Sequence, residues 1–403
     1  MNIAFCYITP FHPNKGGIGR VTDTLCREMQ RRGHNVHYLI FESGMTIKHE
    51  YDYPAPLTYL PSKELLSEEN LAFYHKYLRD NNIDIIIDQG GNFAEYPLWL
   101  NTGNDKIKKI SVIHTYDTVT YRNLWNLSVI PLRGNRIIDH AKRLARIILY
   151  PRTRKNMQKR MIQSYREMAL STDAVAVLSD HYFDEIIELC PEVSNKLIAI
   201  QNPNPYSDER LSSTDCKKTK NVLFVGLFST AKSEDRAARI WKKISKKYPD
   251  WTFNMIGYGN TQRTNNLKRI VKGIPNFNIL GFQEPFPYQQ EASILCMTST
   301  HEGWPLTLVE AMQCGCVPIL YNSFSSATEL VRDGKDGYLI PPFDEKEYIS
   351  KLESLIKNNE RRELMSKNAR DSIRRFDVAT ITDKWENLFN HLINNTPNEP
   401  AKI

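Results

Sequence analysis

Residues 299–315 read Ser-Thr-His-Glu-Gly-Trp-Pro-Leu-Thr-Leu-Val-Glu-Ala-Met-Gln-Cys-Gly. Proline suits the first position of a helix, where its missing N–H costs nothing, so Pro305 is expected to open one. The amides of Trp304, Leu306 and Thr307 would then point outward beside the positive end of the helix dipole. Such a helix start binds anions, and its size suits a diphosphate. Glu302 precedes the start, while Glu310 lies five residues beyond Pro305, roughly 7–8 Å along the axis at 1.5 Å per residue. One carboxylate can therefore serve each side of the bound phosphates. Glu302 would face a sugar and Glu310 a ribose diol, whose two hydroxyls suit a bidentate acceptor. Two glutamates eight positions apart are commonplace on a solvated helix. The Gly303-x-Pro305 start, the Ala-Met pair and the Gly315 stop are what give this spacing its meaning.

The elements that must position these residues alternate along the chain. A short apolar strand at Asn2–Ile8 leads into the glycine-rich turn Gly16–Arg20, then a helix to Arg32 closed by Gly33. Val36–Phe41, Ile83–Asp88, Ile110–His114 and Ala174–Leu178 read as further strands. Strands separated by helical stretches imply βαβ units and a parallel sheet. The pattern breaks near Asn202, and Pro203–Lys220, rich in Pro, Ser, Asp and Lys, reads as a linker. Alternation then resumes with strand Val222–Val225, helix Glu234–Tyr248, strand Thr252–Ile256 and the turn Gly257-Tyr-Gly259. Strands Asn278–Leu280 and Ser293–Met297, the helix near Pro305, strand Val317–Leu320 and a helical region from Glu345 complete it. The expected architecture is two doubly wound α/β domains, 1–202 and 221–375, with ligand held at the carboxyl ends of the strands.

Glu302, seven intervening residues and Glu310, followed by Ala-Met and a glycine, resemble the signature of retaining glycosyltransferases of family 4. The resemblance implies a GT-B fold, two Rossmann-like domains facing a central cleft, with residues 376–403 as a terminal helix crossing back to the first domain. Phe224-Val-Gly226 followed by Lys232 resembles that family's phosphate-binding loop. Ile256-Gly-Tyr-Gly259 resembles the turn beside the nucleotide base, which assigns Gly257 and Gly259 to the donor, and Leu280-Gly281-Phe282 the next strand end. Glu329-Leu-Val-Arg-Asp-Gly334 resembles the tail of the same domain. In the first half, Gly16 and Gly17 fit the acceptor-side loop and His114 a histidine that orients the transferred sugar. Leu227 stands where the family usually places Arg, so Lys232 would hold the diphosphate alone or with Arg236. The family also often has Gly in place of Pro305. The resemblance implies a nucleotide-sugar co-substrate, a UDP-sugar by family habit, with no other cofactor and no metal. In that scheme the departing phosphate oxygen takes the acceptor proton, and Lys232 and the helix amides stabilise the developing charge.

Composition bounds the rest. The 403 residues, 41% hydrophobic and 25% charged, fit a two-domain globular chain. No apolar run approaches the ~20 residues that span a bilayer. The N-terminus enters a strand pattern at once, so no signal peptide is expected. Seven scattered cysteines without a C-x-x-C pair point to reduced thiols and a cytoplasmic setting, and Cys314 and Cys316 to packing as small hydrophobes. Net charge is +7, yet residues 122–168 carry twelve Lys/Arg against Asp139 and Glu167, a local +10. Apolar residues interleave with these cations, the pattern of a helix lying on anionic lipid at the inner membrane face. Arg143, Arg146, Arg152, Arg154 and Lys155 are its candidate contacts with membrane or lipid diphosphate. Aromatics are sparse there, so nucleic acid is not expected. The leading expectation is transfer of a sugar to a glycan or lipid-linked acceptor in surface polysaccharide or glycolipid synthesis. The alternatives are a soluble acceptor, a nucleotide-sugar epimerase, or a non-catalytic protein that binds an anionic polymer.

Overall fold

The computed structural model describes residues 1–13, 16–41, 51–91, 96–114, 121, 124–125, 137–212 and 217–394. Of the basic segment, residues 122–123 and 126–136 therefore lie outside the described residues, as do 213–216 of the linker and 395–403 of the tail. The chain divides into two compact units. One comprises Met1–Thr118, Lys155–Pro205 and Phe376–Ile403, and the other Val119–Arg154 and Tyr206–Arg375.

The first unit is built on seven parallel strands: β1 (Asn2–Tyr7), β2 (Asn35–Ile40), β3 (Leu57–Tyr59), β4 (Ile85–Asp88), β5 (Lys108–Ile113), β6 (Ala174–Val177) and β7 (Leu197–Ala199). Their order is β3-β2-β1-β4-β5-β6-β7. β4 is buried throughout, as its Ile85-Ile86-Ile87 run requires of a strand covered on both faces. Its Asp88 is satisfied inside the sheet, accepting from Ser111 Oγ at 2.9 Å and from the Gly90 N–H at 2.9 Å. The helix Gly17–Arg31 follows β1, and a Cβ on its Gly19 would lie 2.6 Å from the carbonyl oxygen of His12. Only glycine lets that helix approach the preceding loop so closely. The terminal helix Val378–Asn394 belongs to this unit, where Arg32 reaches Glu386 at 2.6 Å and His34 reaches it at 2.8 Å.

Six parallel strands form the second sheet: β8 (Thr219–Val225), β9 (Thr252–Ile256), β10 (Phe277–Gly281), β11 (Ala292–Met297), β12 (Val317–Tyr321) and β13 (Tyr338–Ile340). Their order is β10-β9-β8-β11-β12-β13, so the winding direction reverses between β8 and β11. In doubly wound sheets ligands collect outside the strand ends at such a reversal. The core centres on Trp241 of the helix Glu234–Ile244, packed on Phe253 with ring centroids 5.6 Å apart. Tyr348 ties a covering helix down, its hydroxyl donating to the Ile319 carbonyl at 2.7 Å.

Several elements depart from the sequence expectation. The three-residue strands β3, β7 and β13 are too short for any alternation to show. The helices Glu68–Asp80 and Thr261–Ile270 carry weak apolar periods, although Ser67 and Asn260 cap them with side-chain oxygens. The stretch read as linker holds a short helix, Asp208–Ser212, and already enters β8 at Thr219. The helical region from Glu345 resolves into Glu345–Lys357, Asn359–Ile373 and Val378–Asn394.

The ends of β8 and β9 meet backbone to backbone. Gly226 N–H donates to Ile256 O at 3.0 Å and Gly257 N–H to Gly281 O at 2.8 Å. A Cβ on Gly257, whose φ is +145°, would fall 1.9 Å from Gly226 O. Gly257→Ala should therefore lower stability by about 1–3 kcal/mol through backbone strain and forced displacement. A urea midpoint equal to that of the parent would show that the two strand ends do not need this approach.

Candidate active site

The reversal point of the second sheet is where the expected donor residues gather. After β8, Gly226 (φ +159°) begins a loop that returns at Lys232, whose methylenes lie 3.4–3.5 Å from where a Gly226 Cβ would sit. The spacing of Gly226 and Lys232 is thus a packing contact. β11 pins this loop from the other side of the reversal. Thr300 N–H donates to Ala231 O at 2.7 Å, and Thr298 Oγ1 donates to Ser233 O at 2.9 Å. Arg263 adds a brace, bonding the fully buried Glu234 at 3.2 Å and the Thr230 hydroxyl at 2.5 Å.

Those constraints carry Lys232 Nζ to 2.7 Å from Glu302 Oε1, with both side chains mostly shielded from solvent. The sequence assigned the pair to different parts of one ligand; in the structure they bond each other. An ammonium has three N–H donors, so one bond to Glu302 leaves two for an anion. Glu302 stands on the loop after β11, and serines remote in sequence hold that loop. Ser326 Oγ donates to Gly303 O at 2.7 Å and Ser323 Oγ to Ser299 O at 2.8 Å, both buried. Sequence reading missed these two serines, as it missed Arg263, because a Ser-Phe-Ser-Ser run carries no signal beyond loop.

The helix expected from Pro305 begins one residue later, at Leu306, and Pro305 is its N-cap with extended backbone (φ −74°, ψ 95°). The Pro305 carbonyl accepts from Leu308 N–H at 2.9 Å and Val309 N–H at 3.3 Å, as a cap's carbonyl does. The Leu306 and Thr307 amides head the helix, where no intrahelical acceptor exists for them. Trp304 is buried just before the cap. The far end closes in a Schellman turn, Cys316 N–H to Ala311 O at 2.8 Å and Gly315 N–H to Met312 O at 2.9 Å.

Glu310, on the same helix, is almost fully buried, and its Oε2 accepts from Gln289 Nε2 at 3.1 Å. Gln289 in turn accepts from the Tyr206 hydroxyl at 2.7 Å, while Gln313 grips the Tyr206 backbone through both its N–H and its carbonyl. Gly257 and Gly259 line the neighbouring strand end, and a Cβ on Gly259 would stand 2.6 Å from Phe228 Cβ. Arg236 is drawn elsewhere. Its guanidinium lies over the Phe343 ring at 4.4 Å and the Tyr321 ring at 5.4 Å, and its Nη1 is buried with no hydrogen-bond partner. These aromatic contacts account for its side chain, and the structure shows no contact between it and Lys232 or Glu302.

In the first unit, Gly16 (φ +155°) caps the helix that Gly17 begins. His114 follows β5, and its Nε2 pairs with Oε1 of the buried Gln89 at the end of β4. With that oxygen accepting, Nε2 carries the hydrogen and Nδ1 is left as an acceptor. Burial pushes the imidazole down to about 4. Arg143, Arg146, Arg152, Arg154 and Lys155 all lie on one helix, Ile137–Ser171. Arg154 Nε donates to the Tyr121 hydroxyl at 3.1 Å; Arg143 is half-buried, and Arg146, Arg152, Arg154 and Lys155 are exposed.

Residues 15–203 match the family described as Glycosyltransferase Family 4, and residues 208–372 match Glycosyl transferases group 1. An uncharacterized glycosyltransferase of Haemophilus influenzae is 29% identical over 205 residues, 48% of this chain and 55% of that protein. A Campylobacter jejuni α-1,4-N-acetyl-D-galactosaminyltransferase, named for a glycan on PP-undecaprenol, is 24% identical over 54% of this chain and 59% of its own. The chain thus spans little more than half the length of these curated relatives. Among solved structures, Anabaena HepE in complex with UDP and glucose superposes with a TM-score of 0.72 at 15% identity, over 97% of this chain and 99% of that one. WaaG, a glycosyltransferase involved in lipopolysaccharide biosynthesis, gives 0.67 at 15% identity over 96% and 99%. The two parallel, doubly wound sheets are those of the GT-B class. The chain belongs to glycosyltransferase family 4.

The displaced imidazole has a pH signature. His114 in the unfolded chain titrates near the ordinary 6.5 and in the folded chain near about 4. Between those values the unfolded chain binds the proton more readily, so stability rises with pH. The contribution is complete above pH 6.5 and is lost as pH falls toward 4. Denaturant midpoints at pH 7.5 and pH 5 should fall further on acidification for the parent than for His114→Gln. Equal losses would mean that His114 titrates normally in the fold.

Proposed function

We propose that this protein is a retaining glycosyltransferase that moves a sugar from a nucleotide sugar, a UDP-sugar, to a glycan or lipid-linked acceptor in surface polysaccharide or glycolipid synthesis. The observation that carries the reading is the Lys232–Glu302 pair at 2.7 Å, set before the free amides of Leu306 and Thr307 at the reversal of the sheet. A cation from one loop, and a carboxylate and helix-end amides from another, are what a diphosphate bonded to a sugar requires. The UDP and glucose held by HepE and the undecaprenol-linked glycan named for the Campylobacter relative support the choice of donor and acceptor.

In this reading Lys232 and the two amides hold the diphosphate and Glu302 accepts from sugar hydroxyls. Glu310 takes the ribose diol, kept in line by Gln289, and Gly226, Gly257 and Gly259 let the nucleotide approach the backbone. As the bond from the anomeric carbon to the diphosphate oxygen breaks, negative charge grows beside Lys232, which stabilises it. The acceptor oxygen bonds to the same face of that carbon, and its proton passes to the leaving phosphate oxygen. His114, which burial keeps neutral at physiological pH, is assigned the sugar-orienting role that the family resemblance implies. Lys232 supplies the positive charge, so the reaction needs no metal.

Removing Glu310 should cost UDP binding about 1.5–3 kcal/mol, the range for hydrogen bonds to a charged group. Calorimetry of Glu310→Ala with UDP measures this, and undiminished affinity would strip Glu310 of the ribose role.

Lys232→Ala should lower kcat more than it raises KM, because its charge matters most as the leaving group ionises. Steady-state kinetics with a matched donor and acceptor give the split. A parental kcat in the variant, or activity abolished by EDTA, would overturn the proposed leaving-group chemistry.

A further inference from the structure

The helix Ile137–Ser171 has two unlike sides. At 3.6 residues per turn, Arg143, Ile147, Tyr150, Arg154, Met157, Met161, Tyr165 and Met168 recur along one side. That side is mostly covered, although Arg154 stays exposed. Met161, Tyr165 and Met168 are buried, Tyr150 packs edge-on against Trp125 at 5.1 Å, and Arg154 lies over the Tyr121 ring at 5.1 Å. The opposite side runs through Ala141, Leu144, Ala145, Ile148, Arg152, Lys155 and Lys159. It is open to solvent: Leu144 is 58% exposed and Ile148 67%, and Leu149 on its flank is 51% exposed. Clustered large aliphatics on an uncovered helix face mark a surface that meets something.

The charge on this face says what. Over its next three turns the same stripe changes from aliphatic to cationic, through Arg152, Lys155 and Lys159. The helix as a whole carries nine Lys/Arg against two acidic residues. Among the described residues no carboxylate stands against Lys142, Arg146, Arg152, Lys155 or Lys159. A second copy of this face would bring like charge against like charge. Nucleic acid would want stacking rings, and the open face carries none, since Trp125 and Tyr121 stand against Tyr150 and Arg154 of the other side.

We propose that the open face of this helix is a docking surface for an anionic lipid bilayer. Leu144, Ile148 and Leu149 enter the boundary between headgroups and acyl chains, while Arg152, Lys155 and Lys159, with long apolar stems, reach lipid phosphates. Arg143 and Arg154, candidates on sequence grounds, stand on the other side of the helix, where Arg143 is half-buried and Arg154 bonds Tyr121. This inference goes beyond the sugar-transfer reading and stands or falls without it.

Co-sedimentation with phosphatidylcholine vesicles, with and without phosphatidylglycerol, tests it. The parent should bind the anionic vesicles, ignore the neutral ones and be released by high salt. The triple variant Arg152→Gln, Lys155→Gln, Lys159→Gln should bind on the order of 100-fold more weakly, at about fivefold per cation. Leu144→Gln, Ile148→Gln, Leu149→Gln should lose binding at physiological salt. Removing the same number of charges elsewhere, in Lys246→Gln, Lys268→Gln, Lys272→Gln, should leave binding within about twofold, since those exposed lysines lie off the helix. A parental circular-dichroism spectrum and urea midpoint report that each variant is folded. Failure of the parent to bind anionic vesicles overturns the proposal. So does equal loss in the off-helix control, release by a competing oligonucleotide at constant ionic strength, or self-association that the helix variants abolish.

Discussion

A lysine and a glutamate 2.7 Å apart, most of their surface hidden from water, set the terms for the second unit. Each of the two charges gives up hydration, and a pair of this kind persists only where the backbone fixes both partners. Lys232 is fixed by the end of β11, through Thr298 and Thr300, and by Arg263. Glu302 is fixed by Ser323 and Ser326, which hold the loop on either side of it. Four separate chain segments thus converge on one ion pair, and the reversal of the sheet between β8 and β11 is what brings them within reach. The glycines follow from the same demand, because loops this close leave no room for a Cβ at Gly257 or Gly259.

Much of this was legible in the sequence, for identifiable reasons. Runs such as Ile85-Ile86-Ile87 declare a doubly covered strand through composition alone, and the alternation of such runs with helices implies parallel sheets. The segment from Glu302 to Gly315 could be placed on a strand end, a helix start and a helix stop because glycine and proline have few structural uses. The one-residue displacement at Pro305 reflects the same economy, since a proline serves equally well as cap or first helical residue. What could not be read were the partnerships. Nothing in the order of residues says that Lys232 bonds Glu302, that Gln289 stands behind Glu310, or that Arg236 leaves the site for two aromatic rings. Serine at 323 and 326 is equally anonymous until tertiary structure brings it beneath a carbonyl.

The basic segment shows the converse limit. Its charge was evident from a count, yet a count treats every cation alike. Helix geometry separates Arg154, engaged with Tyr121, from Arg152 two residues earlier, which faces outward. A charge total can therefore name a class of partner, but only the phase of the helix decides which side chains meet it.

The ion pair also sets the charge that the site presents. With Lys232 bonded to Glu302, the two side chains carry little net charge between them, and the field at these strand ends falls to the two remaining lysine N–H donors and the helix-end amides. Two opposite charges that quench each other thus let a cation and a carboxylate wait side by side, mostly out of water, without either being left bare.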